Sequence, residues 1–538
     1  MVNCLIRMSN FSLTREFRLS YIPPLMVYLA AGISTLTHIV GAFFVKDHLD
    51  ISAEFLAALG FWITVPWMLK MPLGHLVDIL WRYKSVLVYL GASLIAISLL
   101  IMIALLSNTH AMKQTMPIEA WYVVSVLLAP IGYVVQDVVA DAMTVEAIPT
   151  LDNRQQKFSP GRLKSMHVTM QTLGRVAIIG GSVFVAILNI YVFSDAEKMQ
   201  EAEKIAAYIF IYQVALLIPI ISILGVILAA YIKRRHVNLL LKNGYSKKKA
   251  LSTVSPGYEP THPDWWILGG SLAFILFTLI LGLSKVPMGQ EIIFIGSLCI
   301  ILFLMRRLLN SLDEYGRRIF IGTAAIIFMF RAIPRFGPGE TWWMIDALKF
   351  DQHFLSILSL IGGLFTLLAL FIFRRFMAEK SIATIIGILT IAVALLSIPN
   401  IGMYHGLHEW TSSVTNSVVD ARFLALVDTA AESPLMQIAM IPMLAWIAHS
   451  APANLKATFF AVMASFANLS FALSQLITKY LYQIFTVTRE VKDAATGQVK
   501  IAADYSNLGM LMVTATVIGI ILPLVTIYIV KRLKLSSG

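Results

Sequence analysis

Fourteen apolar stretches, each near the length of a membrane-crossing helix, constrain this chain more than any other feature. A bilayer core of about 30 Å needs about 20 apolar residues in a helix. The stretches run over residues 22–46, 54–80, 85–107, 120–147, 163–192, 205–232, 265–284, 290–308, 317–343, 354–376, 381–399, 421–449, 455–485 and 507–531. The eighth is the weakest, because its clean apolar core from Ile292 to Met305 is short. Only 13% of the 538 residues are charged, against roughly 25% in soluble domains. Too few charges remain to cover the surfaces of several soluble domains. The chain therefore reads as an all-α integral membrane protein. A soluble enzyme, a nucleic-acid-binding protein and a disordered scaffold are excluded. Cys4 and Cys299 are too few and too far apart for a disulfide framework or a zinc site, and neither metal nor cofactor is expected. The N-terminal segment is not a signal peptide, since its charges precede an apolar stretch too long for an h-region.

Lys and Arg placement sets the orientation. With the N-terminus cytoplasmic, 27 of the 42 basic residues fall in cytoplasmic segments, including seven between Lys233 and Lys249. Twelve fall in or beside outer loops, and Lys70, Arg175 and Arg331 remain inside spans. The net charge of +12 thus reflects inward-facing loops. An even number of spans puts both termini inside, and the expected location is a bacterial inner membrane.

The outer end of span one runs from Leu49 to Phe55, and that of span nine from Leu348 to Phe354, an offset of 299 with the same Leu-to-Phe spacing. Spans four and twelve differ by a similar offset. Spans 1–6 and 9–14 therefore read as parallel repeats, the architecture of the major facilitator superfamily. The expected organisation is an N-terminal six-helix bundle (1–232), a basic cytoplasmic linker (233–264), an inserted two-helix segment (265–316) and a C-terminal six-helix bundle (317–538). The inserted pair should pack on the periphery.

A charge inside the membrane costs several kcal/mol on most estimates and is a functional candidate by default. Span four carries Asp137 and Asp141 one turn apart on one face. Span five carries His167, Gln171 and Arg175 in one stripe. Asp137 and Arg175 each lie twelve residues from the inner ends of their spans, a rise of about 18 Å that reaches the midplane. Antiparallel neighbours would set Asp137 level with Arg175 and Asp141 level with Gln171. Two readings follow: a static ion pair, or a pair that exchanges partners with a proton or an anionic substrate.

Arg331, in span nine, maps through the repeat onto Gly32 in span one. Pro334, Gly337, Pro338 and Gly339 should break the helix beyond it, and a broken helix beside a charge is a common midplane site. The alternative is an Arg that snorkels to the interface. His38, beside Ser34, Thr35 and Thr37, is a further polar candidate for substrate binding. Asp428 and Glu432 are one turn apart but near the outer end, where water can reach them. Lys70, Gly74, Asp78 and Arg82 close span two with a Gly and an Asp four apart followed by basic residues. That pattern resembles the loop motif of facilitator-superfamily transporters and marks a cytoplasmic gate.

Four stretches are similar to the folate–biopterin transporter family: Pro66 to Gly74 with Asp78; Asp137 to Ala142; Pro334 to Leu355; and Met443 to Leu469. They are spread over both halves, across about 400 residues. The resemblance implies proton-linked movement of folates, pterins or related anions. Two features depart from it. Lys456 stands where an acid is expected before Ala457-Thr458, and Gln136-Asp137 also resembles muropeptide permeases and acetyl-CoA transporters.

The leading functional reading is a monomeric secondary active transporter for a small organic anion, coupled to a proton or another ion. Arg175 and Arg331, with His38 and Gln171, would bind the substrate, since guanidinium pairs bidentately with carboxylate. Asp137 and Asp141 would carry protons. Trp62, Trp67, Trp342 and Trp343 can stack on a flat ring or sit at the interface. A siderophore, a peptidoglycan fragment or an acyl-CoA-like anion is the alternative cargo, by import or export. A catalytic site is not expected: His408-Glu409-Trp-Thr-Ser412 lacks the second His of a metalloprotease helix. A channel is the remaining class.

Overall fold

A computed structural model of the chain describes residues 18–535, apart from 50, 69, 81–82, 149–159, 195–198, 255–264, 284–285, 310–312, 374–375, 377–379, 451–455 and 493–498. Each of the fourteen expected stretches contains helix. The first half comprises α1 (Ile22–Ile33), α2 (Leu36–His48), α3 (Ala53–Met68), α4 (Lys70–Ile79), α5 (Lys84–Ser107), α6 (Ile118–Ala147), α7 (Pro160–Val192), α8 (Glu201–Ala215) and α9 (Leu217–Lys242). A pair follows, α10 (Trp265–Leu283) and α11 (Gly289–Leu309). The second half comprises α12 (Glu314–Arg331), α13 (Pro338–Asp346), α14 (Gln352–Ile372), α15 (Ile382–Tyr404), α16 (Ala421–Ser450), α17 (Lys456–Ile484) and α18 (Leu508–Arg532).

Among the described residues, seven helices are long and apolar enough to cross a membrane. That is fewer than the fourteen stretches. One physical reason is interruption: the first and ninth stretches are each split into two helices. The chain is an integral multi-pass membrane protein. Its lipid-facing stripes are plain on α5, where Val86, Leu90, Ile97 and Leu100 are exposed while Val88, Ile95 and Met102 are buried. That is one apolar face turned outward and one inward at helical spacing.

The body of the chain is helical as expected, with one small addition. Between α17 and α18, strands β1 (Val491–Lys492) and β2 (Val499–Ile501) form an antiparallel hairpin, extended by a bridge from Thr488 to Asp504. β-branched residues alternating with polar ones favour this in a loop too polar to span. Within the basic segment, α9 runs on to Lys242 and a short helix covers Lys247–Val254.

Small residues let helices meet. A Cβ on Gly91 of α5 would lie 2.6 Å from the Gly132 carbonyl of α6, and one on Gly32 of α1 would lie 2.0 Å from the Ile178 carbonyl of α7. Such close crossing is what small residues allow in membrane bundles. Between the halves, α17 packs along α3 and α7 along α14. The pair α10–α11 lies against α4 and α17. Ile293 of α11 and Phe61 of α3 share one core with Ile326 and Leu469. The opposite face of α10 is open, with Trp265, Leu272 and Ile280 exposed.

The two broken spans correspond. The first breaks at Ser34–Thr35, where both hydroxyls bond back to the preceding turn, at Ala31 and Gly32. The ninth breaks after Arg331 and resumes at Pro338. Shifted by the 299 offset, the first break falls inside the second.

Candidate functional site

One polar centre lies within the first half. The Lys70 ammonium sits 2.6 Å from Asp137 and 2.7 Å from Asp141, and Tyr28 donates to Asp141 at 2.6 Å. The one-turn spacing on α6 puts both carboxylates on one face, as the sequence indicated. Their cation differs from the expected one. Arg175 acts on Asp137 only at longer range, and among the described residues the ion pairs of Asp137 and Asp141 are with Lys70. A lysine stem at the start of α4 is long enough to reach inward between the acids. Lys70, read above with the gate motif, is thus also a member of the acid centre. The neighbouring Gln136 holds helices together: its amide donates to the Val88 carbonyl at 3.3 Å and accepts from Ser222 at 3.0 Å.

A second centre grows from the break after Arg331. Backbone freed inside a membrane must find partners within the protein, and α17 supplies them at every fourth residue. Ser474 donates to the Ile333 carbonyl at 2.5 Å. Thr478 accepts from the Arg335 amide at 3.1 Å. Tyr482 donates to the Phe336 carbonyl at 2.5 Å and accepts from the Gly339 amide at 2.8 Å. Gly337 turns the chain at φ 77°, a region open to glycine. The Tyr482 ring also fills the place a Cβ there would take, at 2.8 Å. Arg331 itself is anchored through Nε to the Ala467 carbonyl at 3.0 Å, which leaves its terminal nitrogens for other partners.

Arg331 is within range of the charges of Arg335, in its own half, and of Arg175, in the other. Among the described residues none of the three has an ion pair within 4.0 Å. Arg335 also lies 5.0 Å from the Phe471 ring centroid. The structure thus brings together the two arginines named from the sequence and adds a third, which had been counted with the outer loops.

Beside Arg335 stands an acidic wall that the sequence reading largely missed. Glu432 acts on Glu340, on Asp428 and on Arg335. Glu340 accepts from the Asn400 amide at 2.8 Å. Asp428 is only 8% exposed, not wet as its place near the span end suggested. The signal for Asp428 and Glu432 was their one-turn spacing. Glu340 looked like an ordinary first-turn acid of a helix, and its burial depends on how the broken span folds back.

Other expectations fare differently. The side chains of His38, Gln171 and Asp78, and all of Arg82, lie outside the described residues. Gly74 is half-buried on α4. Trp342 and Trp343 are 2% and 6% exposed inside a hydrophobic core, with Arg489 over the Trp342 ring. They are not free to stack on a ligand. No group of His, Cys, Asp and Glu able to hold a metal occurs among the described residues.

At the end carrying Ile51 and Ser52, hydrogen bonds join the halves. Gln352 donates to Tyr208 at 2.7 Å, and Gln483 to Glu54 at 2.7 Å. Gln290 of α11 donates to the Ala58 carbonyl at 2.9 Å and accepts from Lys479 at 3.2 Å. Lys479 also pairs with Glu291 at 2.9 Å. A cavity of about 380 Å³ remains there, lined by residues of both halves including Ser52, Trp342 and Thr488.

Comparison with known proteins agrees with this architecture. The fold is similar to a peptide transporter of the POT family solved with sulfate, with TM-score 0.60, 14% identity and coverage of 97% of this chain and 96% of that one. It is also similar to a POT family transporter solved with 5-aminolevulinic acid, with TM-score 0.57, 13% identity and coverage of 96% and 95%. A curated relative is the folate-biopterin transporter of Synechocystis sp., 25% identical over 159 residues. That match spans 29% of this chain and 31% of the relative, under a third of its length. The BT1 family matches residues 31–536. A multi-pass helical membrane protein with charged centres in both halves, matched to that family over nearly its whole length, belongs to the BT1 family.

Proposed function

We propose that the protein is a secondary active transporter that moves a small organic anion of the folate or pterin class by alternating access, coupled to protons. The observation that carries this reading is the meeting of Arg175, Arg331 and Arg335 across the two halves, without ion-pair partners among the described residues. Like charges held together inside a bilayer are costly, and an anion with carboxylates relieves them through bidentate bonds. Arg175 from one half and Arg331 and Arg335 from the other then grip one ligand, which links binding to the relation between the halves. His38 and Gln171 complete the substrate site in this reading.

The centre at Asp137, Asp141 and Lys70 serves proton coupling. Gly74, Asp78 and Arg82 belong to the gate at the opposite end from Ile51 and Ser52. The chain forms two six-helix bundles of the major facilitator type, residues 1–232 and 317–538, with the linker 233–264 and the pair 265–316 between them. It works as a monomer in an inner membrane with both termini cytoplasmic.

Uptake by proteoliposomes tests the reading. Pterin-6-carboxylate and folate should accumulate against their gradients when the interior is alkaline, and uptake should saturate. Flux that neither saturates nor runs uphill would mark a channel. A cysteine at Tyr245 should stay unlabelled by impermeant reagent in intact cells, and labelling there would reverse the orientation.

A further inference from the structure

We infer that Glu432, Asp428, Glu340 and Asn400 form a receptor for a hydrogen-bond-donating head group, so that the transported molecule is anionic at one end and donor-rich at the other. The inference rests on the anion reading above and adds the second pole of the ligand. Hydrogen-bonding capacity on the two sides is opposite in kind. The arginine side offers only donors. On the acidic side, Asp428 Oδ1 and Asn400 Oδ1 are buried acceptors without a hydrogen-bond partner among the described residues. The Asn400 donor is already spent on Glu340. Glu432 adds a further acceptor, and it stands exposed although it lies well inside α16. Buried polar atoms normally find partners, and those here all ask for donors.

The two poles are neighbours. Glu432 and Arg335 act on each other, Arg335 acts on Arg331, and both Glu432 and Arg335 are exposed side chains within the helical body. Two polar groups on neighbouring helices already have partners. Tyr482 bonds the broken span, and Glu54 on the packed helix α3 takes Gln483. A ligand face with two adjacent N–H groups, such as the 2-amino-4-oxo edge of a fused pyrimidine, meets a carboxylate as guanidinium does, through two parallel bonds. Its carboxylate end then falls to the arginines.

Two flat bicyclic carboxylates separate this from plain anion binding. Pterin-6-carboxylate carries the donor edge, and quinoxaline-2-carboxylate lacks it. Binding of each to the purified full-length transporter is measured by calorimetry, with thermal unfolding as a check on folding. The wild type should bind pterin-6-carboxylate at least about tenfold more tightly. Glu432→Gln and Asp428→Asn should each shrink that ratio to about threefold or less, whereas Arg331→Lys should weaken both probes alike. Equal affinities in the wild type, or an unchanged ratio in both acid variants, would overturn the receptor while Arg331→Lys still upholds the anion site. An unchanged ratio with loss of gradient-driven uptake would assign the cluster to the coupling ion instead, which also overturns the receptor. Failure of both probes to bind would remove the folate or pterin reading, and the receptor with it.

Discussion

Lys70 and Asp137 stand 2.6 Å apart on different spans, and the same ammonium reaches Asp141 at 2.7 Å. One cation therefore serves two acids, so removing it leaves two carboxylates without a counter-charge. Breaking a buried pair from one side costs about 3–5 kcal/mol. Lys70→Ala should lower the thermal midpoint markedly and abolish uptake. The triple change Lys70→Ala, Asp137→Asn, Asp141→Asn should recover most of the stability without the transport. If Lys70→Ala unfolds no earlier than the wild type, the centre does not hold these helices.

Proton coupling should separate from binding at Asp137. Asp137→Asn should end uptake driven by a pH gradient and leave exchange of labelled for unlabelled substrate intact. Asp141→Asn should do less, since Tyr28 also bonds Asp141. Loss of exchange together with driven uptake would make Asp137 a substrate-binding or structural acid.

The hydroxyl stripe of α17 gives a third test. Thr478→Val takes away the acceptor for the Arg335 amide, and an unsatisfied buried group costs about 1–3 kcal/mol. Tyr482→Phe unpairs the Phe336 carbonyl and the Gly339 amide together. Both variants should melt earlier and bind anions more weakly, because the arginines are carried on the segment they release. Thr478→Ser, which keeps the hydroxyl, should restore both properties. Normal melting and affinity in Thr478→Val would show that the broken span holds its shape unaided.

The bonds between the halves near Ile51 and Ser52 predict accessibility. The double variant Gln352→Ala, Gln483→Ala removes two of them. A cysteine at Ser52, on the wall of the 380 Å³ cavity, should then react several-fold faster with a polar thiol reagent. No change in rate would mean that apolar packing alone closes this end.

Much of this was legible in the sequence. Helix positions follow from apolar length, and the shared face of Asp137 and Asp141 follows from helical spacing. The break after Arg331 follows from its prolines and glycines. The partner of Asp137 was not legible, because matching depth on antiparallel spans says nothing about which spans touch or how far a lysine stem reaches. Arg335 and Glu340 were missed for a related reason. Each looks like a surface residue until the 332–337 segment is folded back against α17. Trp342 and Trp343 looked like ring-stacking candidates, but tertiary packing had already claimed both.

The bonds made by α17 fall on two adjacent faces. Ala467, Ser474, Thr478 and Tyr482 hold Arg331 and the broken segment beyond it. One residue later along the helix, Asn468 donates to the Trp67 carbonyl at 2.9 Å, Gln475 packs against Gly60, and Gln483 bonds Glu54. Successive residues point about 100° apart, so one rod grips its own half along one edge and the opposite half along the next. Under the alternating access proposed above, such a rod is a rocker: a tilt of one half against the other would roll or slide it, and that motion would pass directly to Arg331 and to the segment bearing Arg335. The charge of a bound anion and the open end of the molecule would then be geared together by a single helix.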